Sequence, residues 1–255
     1  MTTVVSQLAT PDLLDGIASC TFFADLNIFL QELEKRPFGL TQTGNLQLRE
    51  IEHLERHMKS DLLKHFKDKD GKMMWRVRGE DDVPTLTKIR LISQVAKLSR
   101  EQAKKLIITT KGKTYNASND ILDKYLTMVR TYLRECNWAY IHLRGGDEET
   151  SLAEVLQKNQ FHIWDFLLHT AKLGPISFED FVSFLRQNFP LKWMNYLNEN
   201  VESMISWGIK TSLLRDLEDF NIIKKNGDGD IPDNELQIQL TPIGVAALSH
   251  AMSEY

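Results

Sequence analysis

The chain has 255 residues, of which 42% are hydrophobic and 26% are charged, with a formal net charge of −4 at neutral pH. This length fits one large domain or two ordinary ones, and the composition is typical of a globular protein. The slightly acidic total excludes a protein whose whole surface binds nucleic acid, although it remains compatible with a local basic patch.

The sequence contains two cysteines, Cys20 and Cys136. Two thiols exclude a disulfide framework and a four-cysteine metal site. No apolar run reaches the length of a membrane span, and residues 1–16 lack the basic start and continuous apolar core of a signal peptide. We therefore expect a cytoplasmic protein with no membrane partner.

The N-terminal third of the chain shows two amphipathic patterns. Apolar residues at helical spacing predict one helix over residues 11–36, which Pro37 ends. A second apolar stripe runs from Leu48 to Phe66 at the period of a helix, with charged residues on the opposite face.

Two histidines, His53 and His57, lie four residues apart on this second predicted helix, at a spacing compatible with metal binding. A metalloprotease signature needs a glutamate directly after the first histidine, whereas Glu55 lies two positions after His53. No cysteine or carboxylate is evidently placed to complete a site. We therefore expect solvent-facing histidines and no bound metal.

The middle of the chain predicts helices on both sides of an ambiguous segment. Residues 82–84 (Asp-Val-Pro) suit a helix start, and a long amphipathic helix is expected over residues 121–140. Between them, residues 99–110 allow two interpretations. The capping-box spacing of Ser99 and Gln102 favours a short helix, whereas the β-branched run that follows favours a strand.

The C-terminal part follows a linker that the flexible, acidic residues 145–149 predict. Capping-box spacing at Ser151 and Ser177 predicts helices that begin there, and a further helix is expected over residues 191–207. The remaining pattern is a helix, a hairpin and a final helix, over residues 211–220, 222–225, 236–240 and 245–252. This order is typical of a winged helix.

One local pattern, an apolar residue, Thr, two variable positions and Gly, recurs at residues 40–44, 108–112 and 240–244. A β-branched pair that ends at a glycine suits a short strand entering a tight turn. We therefore predict a mainly α fold with short β-hairpins and winged-helix-like modules in two domains, residues 1–145 and 150–255.

Two segments carry a resemblance to known proteins. Residues 36–48 read R-P-F-G-L-T-Q-T-G-N-L-Q-L, and E-D-D-V-P and L-T-K-I-R-L-I follow from Glu80 and Leu86. Residues 36–118 thereby resemble a group of uncharacterised bacterial proteins, some labelled plasmid-type open reading frames, in which an L-T-x-x-G-N-L segment precedes a winged-helix-like unit. Lys97-Leu98-Ser99 replaces the compact Gly-Leu turn of that group. The resemblance implies a fold and no activity.

The C-terminal segment, residues 175–255, resembles a generic winged helix, which is a functionally mixed class. Its predicted hairpin is acidic, with bases only at its root, at Lys224 and Lys225. Because carboxylates repel phosphate, this module is expected to dock protein, either another domain of the chain or a partner. The acids are Asp228, Asp230, Asp233 and Glu235.

A concentration of bases in residues 86–113 is the strongest functional signal, because Glu101 is the one acid among them. Lysines spread over a helix and a turn contact phosphates without reading bases. The alternative is a solvated face that balances an acidic chain. The expected contacts to a DNA or RNA backbone are Lys88, Arg90, Lys97, Arg100, Lys104, Lys105, Lys111 and Lys113.

Large aromatic residues cluster between Phe178 and Trp207, and a buried core is the simplest interpretation. A groove for a partner protein is the alternative, because the cluster exceeds what one small module usually hides. Phe184 falls off the main stripe of its helix, and we select it with Trp193 as candidate protein-binding residues.

The acidic turn that begins at Asn226 has oxygens at the spacing of the first calcium-loop ligands. Ile231 stands where such a loop needs glycine, and Gln237 where it needs glutamate. We therefore predict a solvated acidic turn without an ion.

No nucleophile elbow, phosphate-binding loop or dinucleotide fingerprint occurs in the sequence. We therefore expect a non-enzymatic protein without a cofactor, nucleic-acid-associated or regulatory through the bases at residues 88–113. The alternative is a protein–protein adaptor in which winged helices are scaffolds. An enzyme whose residues meet only in space is the third hypothesis.

Overall fold

The computed structural model describes residues 10–142, 147–171, 174–193, 201–226 and 232–253. The helices are α1 Pro11–Ala18, α2 Thr21–Lys35, α3 Leu48–Glu55, α4 Pro84–Val95, α5 Thr110–Ala117, α6 Ile121–Arg130, α7 Trp138–Ile141, α8 Asp147–Lys158, α9 Gln160–Thr170, α10 Phe178–Asn188, α11 Val201–Ile209, α12 Arg215–Asp219 and α13 Pro242–Ser253. The strands are β1 Phe38–Gly39, β2 Ser99–Gln102, β3 Lys105–Ile108, β4 Ile176–Ser177, β5 Ile223–Lys225 and β6 Gln237–Leu240.

The fold is mainly helical with small antiparallel sheets, which confirms the prediction of a mainly α protein with short β-hairpins. The described residues form one sheet in the order β1-β3-β2 and another in the order β4-β6-β5. In the second sheet, Ile223 pairs with Leu240 and Lys225 with Ile238. The segment from Ile222 to Leu240 therefore pairs with itself, as its alternating pattern predicts.

The chain divides into two compact units. Cys20–Cys136 form the first unit, and the described residues of Met1–Ser19 and Asn137–Tyr255 form the second. The sequence prediction places the division between residues 145 and 150. The structure groups α1 with the second unit because α1 packs against α13, and because Asn221 Nδ2 donates a hydrogen bond to the Gly16 carbonyl at 2.8 Å.

The core of the first unit lies between α2, α4 and the hairpin of β2 and β3. Apolar side chains at helical spacing on α2 and α4 are inaccessible to solvent, as is Leu106 of β3. Burial of a side chain of this size stabilises the folded state by roughly 2 kcal/mol, so this face holds the unit together. The fully buried helical residues are Leu26, Phe29, Leu30, Leu86, Ile89 and Ile92.

Two of the three threonine–glycine patterns build the same structure in different units. Thr109 Oγ1 accepts a hydrogen bond from the Gly112 N–H at 3.0 Å, and Thr241 Oγ1 accepts one from the Gly244 N–H at 2.9 Å. Each threonine is thus the N-cap of the helix that follows its hairpin. Each hydroxyl also donates to the chain at the start of that hairpin, at Lys97 and at Asn221.

The first copy of the pattern forms a turn instead. The Thr41 N–H donates to the Asn45 carbonyl at 2.7 Å, and Leu40 forms an isolated antiparallel pair with Leu46. Gly44 has φ of 88°, in the left-handed region that glycine adopts without strain.

Two predicted helices are shorter than their apolar stripes. The prediction of a single helix over residues 11–36 is wrong, because the helix is interrupted at Ser19 and Cys20, between α1 and α2. The stripe from residue 48 to 66 is helical only to Glu55. The buried carboxylate of Asp25 accepts the Lys59 N–H at 2.5 Å, which holds the chain in a non-helical path beyond α3.

The ambiguous segment 99–110 is a β-hairpin, so the strand interpretation is confirmed and the helical one is wrong. The long helix predicted over residues 121–140 is also wrong. After α6 a π-helical turn ends at Glu135, and Asn137 caps the separate helix α7.

Three C-terminal predictions have different outcomes. Ser177 caps α10 by accepting the Asp180 N–H at 3.1 Å, as predicted, whereas Ser151 lies inside α8. The helix predicted over residues 191–207 is wrong at its start, because residues 191–193 are not helical and α11 begins at Val201. Residues 194–200 lie outside the described residues, as do residues 145 and 146 of the predicted linker. The linker prediction is wrong for residues 147–149, because they belong to α8.

Candidate nucleic-acid interface

The hairpin of β2 and β3 holds part of the predicted basic set. Ala103 and Lys104 connect its strands with φ of 49° and 58°, and Gln102 pairs with Lys105. Consecutive positive φ angles define the tight turn whose twist suits a two-residue hairpin. Lys104 therefore lies at the tip of the hairpin.

One face of this hairpin presents bases to solvent. Arg100 pairs across the sheet with Ile107, and Gln102 with Lys105, so these four side chains share a face. Arg100 and Lys105 are exposed, and Arg100 Nη2 donates to Gln102 Oε1 at 3.2 Å. Arg100, Lys104 and Lys105 thus form a basic tip on the hairpin.

A second group of bases lies where the hairpin meets the helices. Lys97 is exposed in the turn between α4 and β2, and Lys111 Nζ donates to the Ala96 carbonyl at 2.8 Å. Lys113 is exposed one residue beyond Gly112 in α5. The hairpin basic surface is defined as Arg100, Lys104 and Lys105 at the tip with Lys97, Lys111 and Lys113 at the base.

The two remaining residues predicted to contact a nucleic-acid backbone, Lys88 and Arg90, do not belong to this surface. Lys88 is 6% exposed, and its Nζ lies 5.6 Å from the centre of the Phe22 ring. Arg90 Nε lies 2.6 Å from an oxygen of Glu80, which is fully buried. Both bases belong to α4, so this helix presents no exposed lysine or arginine.

Another exposed segment carries a signal that sequence reasoning missed. Met73, Met74 and Trp75 are 45%, 54% and 70% exposed, and the Met74 N–H donates to the Phe66 carbonyl at 2.7 Å. The signal in the sequence was a run of three large apolar residues with bases on both sides. The exposed bases around them are Lys69, Lys72, Arg76 and Arg78.

The candidate protein-binding aromatics are only half-buried. Phe184 stacks on Phe166 with ring centres 3.9 Å apart, while Trp193 meets Trp207 edge-to-face at 6.0 Å. Trp207, which sequence reasoning did not select, is 47% exposed. The solvent-facing part of this group is therefore Trp207.

The described acids of the second hairpin are partly paired with bases. Asp233 forms an ion pair with Lys210. At the root of the hairpin, Lys225 Nζ lies 2.7 Å from an oxygen of Glu218. The predicted acidic turn with Asp228 and Asp230 lies outside the described residues.

Among the described residues, one group has the donor atoms of a metal site. Glu32, His53 and His57 each offer one ligand atom within 4.8 Å of the others. Burial raises the pKa of Glu32, but hydrogen bonds from Lys35 and His53 outweigh it and lower the pKa overall. His53, predicted to face solvent, is half-buried against Glu32, whereas His57 is exposed.

No family model matches the chain, and neither curated proteins nor solved structures provide a match. The resemblance of residues 36–118 therefore stays a prediction. Within the described ranges, no single helix has the length and apolar character to cross a membrane; α1 and α2 meet that test only when taken together.

Proposed function

We propose that the first unit is a winged-helix module that binds the nucleic-acid backbone through the hairpin basic surface. The observation that carries this proposal is the exposure of six bases on one short hairpin, on the turn before it and on the first turns of α5 after it. Such bases neutralise phosphates and release condensed counterions.

The topology supports the winged-helix assignment. In the first unit, α2, β1, α3, α4, β2 and β3 follow in chain order, and β1 closes on β3. The second unit repeats this with α9, β4, α10, the helices up to α12, β5 and β6, where β4 closes on β6. A helix, a strand, helices and a hairpin in this order are the elements of a winged helix.

The charge distribution indicates how the module binds. On α4, the helix before the hairpin, Lys88 lies beside the rings of Phe22 and Tyr132, and Arg90 is paired with Glu80. In helix-turn-helix proteins this helix reads base edges in the major groove. Because α4 exposes no base here, the hairpin supplies the contacts, and binding is salt-dependent with little sequence preference.

A binding titration tests the proposal, with fluorescence anisotropy of a labelled duplex measured at several salt concentrations. Each lost phosphate contact reduces the salt slope by about 0.9 for duplex DNA. Lys104→Glu is expected to weaken binding about tenfold and to reduce the slope. Lys224→Glu, an exposed lysine on the hairpin of the second unit, is the charge-matched control and leaves both unchanged.

Two results would contradict the proposal. One is the absence of wild-type binding to duplex and single-stranded DNA or RNA at low salt. The other is an equal loss of affinity in Lys104→Glu and in Lys224→Glu, because the effect would then follow from net charge and not from the hairpin basic surface.

Trp75 determines which form of nucleic acid binds better. An indole 70% exposed among bases is a stacking platform for an unpaired base. Stacking contributes about 1–3 kcal/mol per base, so Trp75→Ala is expected to weaken single-strand binding by about tenfold or more and duplex binding far less. An equal loss for both forms would remove stacking from the proposal.

Protein docking by the second unit is a second candidate function. Trp207 favours it, because a tryptophan 47% exposed beside Trp193 is typical of an interaction anchor. A pull-down from host lysate is expected to lose its partner with Trp207→Ala and to keep it with the matched change Trp75→Ala. Loss of the partner in both variants would contradict a specific site.

A further inference from the structure

We propose that Glu32, His53 and His57 form a binding site for a divalent transition-metal ion of the Zn²⁺ class in the first unit. This inference is independent of the nucleic-acid proposal, because it uses none of the hairpin basic surface. Two imidazoles and one carboxylate are a ligand set that zinc accepts, with a water molecule at the fourth position.

The geometry brings the three donors from two segments to one place. Glu32 lies in the last turns of α2, His53 lies in α3, and His57 follows just beyond the end of α3. The ligand atoms lie within 4.8 Å of one another, and Glu32 Oε2 is 2.9 Å from His53 Nε2. Donors around tetrahedral zinc are about 3.3 Å apart, so a small shift of the exposed His57 side chain, with its hydrogen bond to the His53 carbonyl kept, completes the set.

The hydrogen bonds of the site orient two of its ligands. His57 Nδ1 lies 2.7 Å from the His53 carbonyl, which is an acceptor only, so Nδ1 carries the proton. The Nε2 lone pair of His57 is therefore left for an ion. A metal-bound histidine commonly donates its other N–H to a carbonyl in this way, which fixes both the tautomer and the ring.

Glu32 has an oxygen for the ion and another for a neighbouring base. Its Oε1 accepts a hydrogen bond from Lys35 Nζ at 2.6 Å, whereas its Oε2 faces His53. In the metal-free protein His53 Nε2–H donates to Oε2. The ion takes the place of that hydrogen, and the neutral imidazole then carries its one proton on Nδ1.

The position of the site gives the ion a structural consequence. A bound ion would link α2 to the end of α3, where the chain leaves the helix. An ion that binds the folded chain and not the unfolded one raises the melting temperature as its concentration rises. We therefore expect Zn²⁺ to stabilise the first unit, with no effect from Mg²⁺ or Ca²⁺, which prefer sites made of oxygen ligands.

Titration of the tag-free full chain with Zn²⁺ after treatment with a chelator tests the proposal. Calorimetry is expected to show one high-affinity equivalent, and thermal unfolding a rise in melting temperature. His57→Ala is expected to weaken affinity at least about tenfold. His169→Ala removes a histidine from the second unit, one hydrogen-bonded to a carbonyl in the same way, and serves as the matched control with unchanged affinity.

A second variant separates ligation by Glu32 from its structural role. Lys35 is 67% exposed, and Lys35→Met removes the ammonium that pairs with the Glu32 carboxylate. A ligand role predicts a few-fold tighter Zn²⁺ binding for this variant, because less positive charge opposes the ion. Unchanged affinity in Lys35→Met, unchanged affinity in His57→Ala, or no wild-type binding at millimolar Zn²⁺ would each overturn the proposal.

Discussion

Arg90 Nε donates a hydrogen bond to Glu80 Oε1 at 2.6 Å, and the carboxylate that accepts it is inaccessible to solvent. The other oxygen, Glu80 Oε2, accepts the Leu46 N–H at 2.6 Å. Glu80 thus ties α4 to the turn that follows β1. The same pair removes Arg90 from the hairpin basic surface, because its charge is already neutralised.

Glu80→Ala is therefore expected to destabilise the first unit by about 3 kcal/mol, because it leaves the charge of Arg90 without its buried partner. The loss also leaves the Leu46 N–H without its acceptor. Urea unfolding measures the change as a lower midpoint.

The matched control is Glu101→Ala. Glu101 Oε1 lies 3.4 Å from Arg90 Nη1, but its side chain is 47% exposed, so its removal costs less than about 1 kcal/mol. Equal losses of stability in Glu80→Ala and Glu101→Ala would show that burial of Glu80 does not determine how strongly a carboxylate partner of Arg90 stabilises the unit.

The hairpins and their capping threonines could be predicted from the sequence because they depend on local chemistry. Threonine and glycine three residues apart, followed by a helical pattern, mark the N-caps at Thr109 and at Thr241, whereas the same spacing at Thr41 forms a turn. Helix ends that depend on distant residues could not be predicted. Asp25 stops the helical path near Lys59 from 34 residues away, and periodicity carries no information about that contact.

The candidate sites show the same limit. The concentration of bases in residues 86–113 was visible in the sequence, whereas the burial of Lys88 against Phe22 was not. His53 and His57 were recognisable as a pair by their spacing. Glu32, which lies beside them, is 21 residues before His53, so only the folded structure, in which the two side chains meet, reveals it.

Gly112 and Gly244 test the close packing at the repeated caps. A Cβ on Gly112 would lie 2.2 Å from the Leu98 carbonyl oxygen, and one on Gly244 would lie 2.0 Å from that of Ile222. Helix propensity alone predicts that alanine stabilises each helix by about 1 kcal/mol. We expect the steric clash of the new Cβ to outweigh this gain. Each Gly→Ala change should then destabilise the folded protein by about 3 kcal/mol, measured by chemical denaturation.

Gly79→Ala is the control for these two variants. No atom lies within 4 Å of a Cβ built on Gly79, and its backbone is extended. Stability is expected to stay the same or to rise by less than about 1 kcal/mol. Stabilisation by Gly112→Ala would contradict the close approach between α5 and the start of the hairpin.

The two cysteines are expected to resist thiol reagents in the folded protein. Each is 1% exposed, and burial raises the pKa of Cys136 to about 12. At pH 8 the thiolate fraction of Cys136 is then roughly 10⁻⁴, and the thiolate is the reactive form. Titration with a chromogenic disulfide is expected to label both thiols in guanidinium and neither in buffer; rapid labelling of Cys136 in buffer would contradict its burial.

Lys97→Gly is expected to raise stability while it weakens nucleic-acid binding. Lys97 follows α4 with φ of 61°, a conformation that costs a residue with a side chain about 1 kcal/mol and glycine almost nothing. The same change removes one base from the hairpin basic surface, so the salt slope falls by about 0.9.

Asn221 lies at the equivalent position of the second unit with φ of 57°, and Asn221→Gly is the control for Lys97→Gly. Its side chain donates to Gly16 and Ser19, so Asn221→Gly loses both bonds and gains no net stability. Destabilisation by Lys97→Gly in thermal unfolding would contradict the left-handed turn, and unchanged binding would remove Lys97 from the proposed surface.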